Sequence, residues 1–219
     1  MRDGLTVPAR WLAPAGARAC YVLAHGAGAG MDHRSMREVA DGLARLGVAT
    51  LRFQFPYMER GSRRPDPPHL CHATVRAAVA AAARLAPGLP LVAGGRSFGG
   101  RMTSQAQALE PLVRVHGLAF LGFPLHRAGQ PADSRAAHLA QVSVPMLFLQ
   151  GTRDALAEPA LLEAVIARLG TRATLHSVEG ADHSFHVRAA SGRTDAQVLS
   201  ELLERLAGWI DATIFERSA

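Results

Sequence analysis

Short apolar runs of strand length alternate with longer amphipathic segments along this chain, and no other feature of the sequence constrains the fold as tightly. One of the longer segments places Met36, Val39 and Leu43 three and four residues apart, which gives a helix a single apolar face. Strands that alternate with helices in this way pair in parallel and are covered by helices on both sides. The sequence therefore predicts an α/β fold with a mostly parallel central sheet of about six or seven strands.

The bounds of the elements follow from β-forming residues in the short runs and from glycine or proline near the ends of the helices. The predicted strands cover residues 20–24, 48–55, 89–93, 115–121, 144–149 and 173–178. The predicted helices cover residues 33–46, 71–85, 98–109, 159–169 and 195–210.

The remaining segments complete this picture. Apolar residues between Leu5 and Leu12 predict an additional strand at the edge of the sheet. Proline, glycine and arginine dominate residues 57–69, a composition typical of a long loop. No break in composition divides the chain, so we expect one domain over residues 1–219.

The charge pattern restricts the classes of function. The net charge is +6, but all 24 residues counted as lysine or arginine are arginine, and they are scattered along the chain. Scattered charge does not favour nucleic-acid binding, which needs a basic patch or stripe. The absence of lysine excludes a Walker A phosphate loop, a Schiff-base lysine and a Ser-x-x-Lys acyl-transfer site.

Cysteine content and hydropathy bear on the cellular location. Cys20 and Cys71 are too few for a disulfide framework in a chain of 219 residues. The N-terminal stretch M-R-D-G-L-T-V-P-A-R has no apolar signal core, and no apolar run reaches the length of a membrane span. We therefore expect a cytoplasmic protein that does not associate with membranes. The oligomeric state stays open.

Glycine-rich or polar segments follow four of the predicted strands. They read H-G-A-G-A-G (residues 25–30), G-G-R-S-F-G-G (94–100), Q-G-T-R-D (150–154) and E-G-A-D-H-S-F-H (179–186). Ligands of open α/β sheets bind outside the carboxyl ends of the strands, so we expect these segments to surround one site. In chain order they carry a glycine-rich turn, a single serine, an acid and a histidine.

Ser97 is the candidate nucleophile. The stretch Gly95-Arg96-Ser97-Phe98-Gly99 fits G-x-S-x-G and lies between a predicted strand and a predicted helix. A strand-to-helix turn of this kind holds the serine in a strained conformation with its hydroxyl exposed, and it leaves no room for side chains at the two glycines. The alternative is a glycine-rich helix start at which the serine is only the N-cap.

A serine hydroxyl needs a base, and the base needs a partner that fixes its tautomer. His183 follows the last predicted strand and is the best placed of the ten histidines; His186 is its main competitor, and His176 falls inside the strand. Asp154 directly follows a strand, with Glu158 as the nearby substitute. The order serine, acid, histidine is the one expected after a nucleophile elbow. A solvated turn aspartate and a surface-loop histidine are the structural alternatives.

Acyl transfer also needs donors for the negative charge that develops on the carbonyl oxygen. The N–H of Phe98, directly after the serine, is one candidate; the N–H of Ala27 in the loop after the first strand is the other, with Gly26 next. That loop does not complete G-x-G-x-x-G, and no H-E-x-x-H pattern is present. We therefore expect no cofactor and no metal.

With these four segments the chain resembles the α/β-hydrolase superfamily over residues 20–210. H-G-A-G-A-G-M-D-H and R-F-Q-F-P-Y-M-E-R-G are more narrowly similar to small predicted hydrolases, dienelactone-hydrolase-like, that are grouped with a subunit of a histone-acetyltransferase-associated complex. The resemblance implies an α/β-hydrolase fold, a triad of Ser97, Asp154 and His183, and no cofactor. Known dienelactone hydrolases use a cysteine nucleophile, so their substrate is not carried over.

Two further expectations concern the surroundings of the site. Residues 124–141, a predicted loop with a short helix, leave little room for a lid, which suggests an open or shallow site. Arg96, Arg101 and Arg60 could form a positive rim that steers an anionic substrate, although a solvated basic surface is the stronger expectation. The predicted substrate contacts are His25, Tyr57, Met58, Arg60, Arg101, Phe123 and Phe185.

These predictions favour a serine hydrolase that cleaves an ester, a thioester or another acyl bond of a small molecule through an acyl-enzyme, as carboxylesterases and thioesterases do. Two alternatives stay open. One is a hydrolase fold that serves as an interaction module without significant turnover. The other is a small peptidase, because the triad chemistry is shared.

Overall fold

The parallel strands of this protein bring the four candidate segments to the same end of the sheet, where the strands terminate. The computed structural model describes residues 6–215 of the chain. The strands among them are β1 Ala9–Leu12, β2 Ala19–Ala24, β3 Val48–Phe53, β4 Leu91–Arg96, β5 Val115–Leu121, β6 Met146–Gly151 and β7 Ala173–Val178. They form one sheet in the order β1-β3-β2-β4-β5-β6-β7, in which β1 is antiparallel to β3 and all other pairs are parallel. The predicted α/β fold with a mostly parallel sheet is confirmed.

Helices cover both faces of the sheet. The α-helices are α1 Arg34–Arg45, α2 Pro56–Glu59, α3 Pro68–Leu85, α4 Phe98–Leu109, α5 Pro159–Leu169 and α6 Asp195–Phe215, and the 3₁₀ helices are Ser134–Gln141, Gly170–Arg172 and Ala189–Ser191. One apolar core lies between the sheet and α3, α4 and α5; a second lies between the sheet and α1 and α6. No helix within residues 6–215 is both long and apolar enough to cross a membrane.

The strands are apolar on both sides because both sides are covered. In β2, Cys20 and Val22 belong to the core against α3, α4 and α5, whereas Tyr21 and Leu23 belong to the core against α1 and α6. All six residues of β2 are buried. Burying one leucine side chain contributes about 1.5–3 kcal/mol, so the central strands hold the sheet in place beneath the site.

Several bounds differ from the sequence prediction for local reasons. β4 extends to Arg96 instead of ending at residue 93, because Gly94 and Gly95 continue the parallel pairing with β5. β6 begins directly after Pro145, which has no N–H to donate to the ladder. α3 begins at Pro68 instead of residue 71, since proline is well suited to the first turn of a helix.

The connecting segments also differ in part. The predicted edge strand is confirmed for Ala9–Leu12; Leu5 lies outside the described residues. The predicted long loop at residues 57–69 is shorter than expected, because α2 ends at Glu59 and α3 begins at Pro68. Between β5 and β6 the chain forms an exposed turn and the 3₁₀ helix Ser134–Gln141, which packs against α4.

Candidate active site

Ser97 lies at the sharp turn between β4 and α4. β4 ends at Arg96, α4 begins at Phe98, and the serine between them has φ 50° and ψ −117°. These angles belong to the first central position of a type II′ turn, which glycine normally occupies. The N–H of Ser97 donates to the main-chain oxygen of Leu121 at 3.1 Å. A non-glycine residue in such a region is strained by about 1–3 kcal/mol, so the surrounding packing must hold it there.

The glycines on each side of this serine allow two elements to meet at main-chain distance. A Cβ at Gly95 would lie 2.3 Å from the main-chain oxygen of Ala24, and a Cβ at Gly99 would lie 2.5 Å from that of His25. Real Cβ atoms do not approach this closely. The predicted crowding at the two glycines is therefore confirmed, and the start of α4 packs directly on the end of β2.

His183, Asp154 and Ser97 form one chain of hydrogen bonds. Nδ1 of His183 lies 2.6 Å from Oδ2 of Asp154, and Nε2 of His183 lies 2.8 Å from Oγ of Ser97. Because a carboxylate only accepts, Nδ1 carries the proton, and Nε2 is left as an acceptor for the serine hydroxyl. The structure thus brings together three residues that are 86 and 29 positions apart in the sequence.

The carboxylate of Asp154 is enclosed and held by three donors. Its side chain is 0% exposed. Besides His183, it accepts the N–H of Leu156 at 2.8 Å and the side-chain amide of Gln150. The side-chain oxygen of Gln150 accepts the N–H of Phe123 at 2.8 Å. Gln150 therefore ties the acid to the end of the neighbouring strand.

Sequence reasoning missed Gln150. The one available signal was a polar amide near the end of an otherwise apolar strand, M-L-F-L-Q-G. Its two partners become visible only when β5 and β6 are placed side by side, which the linear sequence does not show.

The competing candidates have other partners. Nδ1 of His186 lies 2.9 Å from Oδ2 of Asp195, which raises the pKa of His186. Nε2 of His176 lies 2.6 Å from Oε1 of Glu201. Glu158 is the exposed N-cap of α5. Within the described residues, these side chains do not reach the hydrogen-bonded chain at the serine.

The loop after β2 lies beside the serine. A Cβ at Gly26 would meet Cβ of Ser97 at 3.8 Å, an ordinary contact distance. Ala27 is exposed, and neither its N–H nor that of Phe98 donates a hydrogen bond to any residue that the structure describes. Two predicted oxyanion donors therefore have no partner among the described residues; one directly follows the serine, and the other lies in the loop whose Gly26 is beside it.

His25 is buried, and the predicted substrate contact is wrong. Its side chain is 0% exposed. Nε2 accepts the N–H of Phe55 at 3.0 Å, so Nδ1 carries the proton and donates to the oxygen of Gly26 at 2.8 Å. Burial lowers the pKa of His25, in agreement with a neutral ring. His25 instead connects the loop after β2 to the end of β3.

Three predicted aromatic contacts are also in the interior. Tyr57 and Phe123 are 0% exposed, and both belong to the core against α3, α4 and α5. Burial raises the pKa of Tyr57 to about 12. Phe185 belongs to the core against α1 and α6. The predictions for Tyr57 and Phe123 are wrong because apolar residues near a strand end can turn toward either the cleft or the core, and sequence does not specify which. Phe185 borders a cavity, so its contact with substrate stays a prediction.

The predicted basic rim is divided between the two sides of the sheet. Arg96 lines a cavity of about 470 Å³ together with Phe185, on the side of α1 and α6. Arg101 lies on the other side, with its Cζ 6.0 Å from the ring centroid of Phe98. Arg60 is exposed and pairs with Asp66. Of the predicted substrate contacts, Met58, Arg60 and Arg101 retain exposed surface.

Comparison with known proteins finds the same architecture in several solved structures. A model of the alpha/beta hydrolase domain matches residues 17–211. A dienelactone hydrolase from Anabaena variabilis has a TM-score of 0.76 and 21% identity, over 94% of this chain and 92% of that one. A serine hydrolase without a lid from Xanthomonas campestris has a TM-score of 0.71 and 20% identity, over 93% and 89%. Est1E from Butyrivibrio proteoclasticus, with ferulic acid bound, has a TM-score of 0.68 and 17% identity, over 94% and 97%.

The TM-scores of these three structures show a shared fold. The family match covers most of the chain, and it includes the four strand ends that carry the site. The chain belongs to the alpha/beta hydrolase domain family.

Proposed function

We propose that this protein is a serine hydrolase that cleaves an ester or related acyl bond of a small molecule through an acyl-enzyme. The observation that carries the proposal is the uninterrupted chain from the buried Asp154 through His183 to Ser97, with hydrogen bonds of 2.6 and 2.8 Å. Ser97 is the nucleophile, His183 the general base and acid, and Asp154 the group that fixes the orientation of the imidazole.

Acylation begins with attack of Oγ of Ser97 on the carbonyl carbon of the substrate. The hydroxyl proton moves to Nε2 of His183, which the structure leaves as an acceptor. Asp154 then stabilises the imidazolium through its bond to Nδ1. Its own three donors keep the carboxylate in place while the charge on the ring changes.

The negative charge on the carbonyl oxygen needs donors that are already aligned. The N–H groups of Phe98 and Ala27 are proposed for this role, since the first directly follows the serine and the second lies in the loop whose Gly26 is beside it. Removing one donor of an oxyanion hole typically costs about 10²–10³ in rate.

Collapse of the tetrahedral intermediate breaks the bond to the leaving group, which takes the proton from Nε2 of His183. Water then loses a proton to the same nitrogen and attacks the acyl carbon. The carboxylic acid is released, and Ser97 regains its proton. The relatives named above include a dienelactone hydrolase and a serine hydrolase, and their names support an acyl substrate without identifying one.

The test combines active-site labelling with turnover. We expect a fluorophosphonate probe to add one equivalent to the full chain, at Ser97, and p-nitrophenyl esters of short acids to be hydrolysed. Ser97→Ala should abolish labelling and lower turnover by at least about a thousandfold.

Two histidines of one loop give a matched control. His183→Gln should abolish labelling, whereas His186→Gln should label like the wild type, because His186 pairs with Asp195 at the surface. Absence of labelling in the folded wild type would contradict the proposal and favour an interaction module. Anilides of the same acids test the peptidase alternative: hydrolysis as fast as that of the esters would favour it.

A further inference from the structure

Arg101 is a partly buried arginine that has no acidic partner among the described residues. Its Nε is fully enclosed, and none of its guanidinium nitrogens forms a hydrogen bond or an ion pair with a described residue. By contrast, Arg18 binds Asp211, and Arg193 binds Glu201. A guanidinium withdrawn from water without a counter-ion is unfavourable, so a group that is partly buried and unpaired calls for a ligand.

The side chains around Arg101 add to the positive charge. Arg135, in the 3₁₀ helix between β5 and β6, lowers the pKa of Arg101 by like-charge repulsion, in addition to the larger effect of burial. Burial and the charge of Arg101 also lower the pKa of His138 to about 4, so this imidazole is neutral at pH 7. Asp66 lies in the chain just before α3, and its carboxylate forms an ion pair with Arg60 and none with Arg101.

Arg101 lies one helical turn beyond the nucleophile. Its N–H donates to the main-chain oxygen of Ser97 at 3.1 Å. Side chains on a helix lean toward its N-terminus, so that of Arg101 extends back toward the turn that holds Ser97. Its Cζ lies 6.0 Å from the ring centroid of Phe98, the residue that follows the serine. The unpaired charge therefore lies beside the residue that follows the nucleophile.

We propose that Arg101, supported by Arg135, binds a carboxylate of the substrate, so that the preferred substrates of this site are anionic esters. A guanidinium matches a carboxylate with two parallel hydrogen bonds, which fixes the orientation of the bound molecule as well as its affinity. This assignment rests on the proposed function, because it names the substrate class of the same site.

The experiment compares matched esters. Four residues rise about 6 Å along a helix, so the acyl-side probe is the p-nitrophenyl half ester of adipic acid, whose carboxylate lies four methylenes from the carbonyl. Its neutral counterparts are p-nitrophenyl hexanoate and the p-nitrophenyl ester of adipamic acid, in which an amide replaces the carboxylate. A hexanoate ester of a carboxylated nitrophenol places the charge on the alcohol side instead. For each, kcat/KM is measured, and preference is the ratio of the anionic to the neutral ester.

We expect the wild type to prefer one of the anionic esters by at least about 20-fold, which corresponds to about 1.8 kcal/mol. Arg101→Gln should reduce that preference to about one, Arg101→Lys should retain part of it, and Arg135→Gln should reduce it less than Arg101→Gln. Because the preference is a ratio within one preparation, it does not depend on the fraction of folded protein.

Arg84→Gln is the control for net charge. Arg84 is exposed in the last turn of α3, at the opposite end of the strands from Ser97, and its replacement should leave the preference unchanged. Serine-dependent turnover without preference for either anionic ester would overturn the assignment and leave the proposed function standing. A preference that survives in Arg101→Gln would overturn the role of Arg101. No turnover of any ester and no labelling would instead overturn the proposed function.

Discussion

The backbone strain at Ser97 predicts that this position limits the stability of the protein. We compare Ser97→Gly with Ser97→Ala. Both variants lose the 2.8 Å hydrogen bond between Oγ of Ser97 and Nε2 of His183, so the difference between them reports on the backbone alone. Only glycine adopts φ 50° and ψ −117° without strain.

The expected size of the difference follows from two opposing contributions. Relief of strain stabilises the glycine variant by about 1–3 kcal/mol. The greater freedom of glycine in the unfolded chain opposes this by about 0.4–1 kcal/mol. We therefore expect Ser97→Gly to be more stable than Ser97→Ala by about 1–2 kcal/mol. For a chain of this size that corresponds to a Tm higher by about 2–8 °C.

Urea denaturation at 25 °C, followed by circular dichroism, measures the difference in the free energy of unfolding, and a thermal scan checks it. Neither variant should hydrolyse esters, so stability and activity change in opposite directions at one residue. Equal stability of the two variants, or a less stable glycine variant, would refute the argument that the turn is strained.

Three further predictions concern the groups around the nucleophile. Gln150→Leu should lower kcat/KM by about 10-fold, because Asp154 loses one of three donors; an unchanged rate would show that the amide does not position the acid. Stability should fall from pH 7 to pH 4.5, since the pKa of His138 is about 4 in the folded protein against 6.5 ordinarily, so the unfolded chain binds the additional proton. His138→Gln should reduce that fall, measured by urea titration, by about 1 kcal/mol. Gly151→Ala should lower activity sharply, because the added Cβ would lie 2.3 Å from the main-chain oxygen of Ala181, in the loop before His183. Gly88→Ala should leave activity unchanged, because no atom apart from those of its chain neighbours lies within 4 Å of the added Cβ.

The strand ends could be predicted from sequence because their chemistry is local. Gly95, Ser97 and Gly99 specify one sharp turn, and Phe98–Leu109 has the predicted bounds because glycine and proline mark its ends. The residues at later strand ends could be inferred from the parallel order of the sheet. The pattern of apolar and polar residues therefore carried both the fold and the placement of the acid and the histidine.

The surroundings of the site could not be predicted in the same way. Phe123 and Phe185 follow strands as a substrate contact would, yet each turns into a core, because side-chain direction depends on how elements pack. His25 illustrates the same limit, since its partner Phe55 follows a different strand. Arg101 lacks an acidic partner because the carboxylate of Asp66 pairs with Arg60 instead. Such a choice of ion pairs is also a property of the assembled structure.

The exposed turn between β5 and β6 has a consequence for how such a protein acquires new specificity. Residues 127–132 are exposed, while the N–H of His126 just before them is held by the main-chain oxygen of Leu156 at 3.1 Å. Each doubling of the length of a flexible loop costs only about 0.6 kcal/mol of closure entropy. A helical hairpin grafted between residues 128 and 131 would thus extend the segment that follows β5 while the strand ends keep their geometry. This turn is where a designer, or natural duplication and insertion, can enlarge the protein into a capped enzyme with a different choice of substrate.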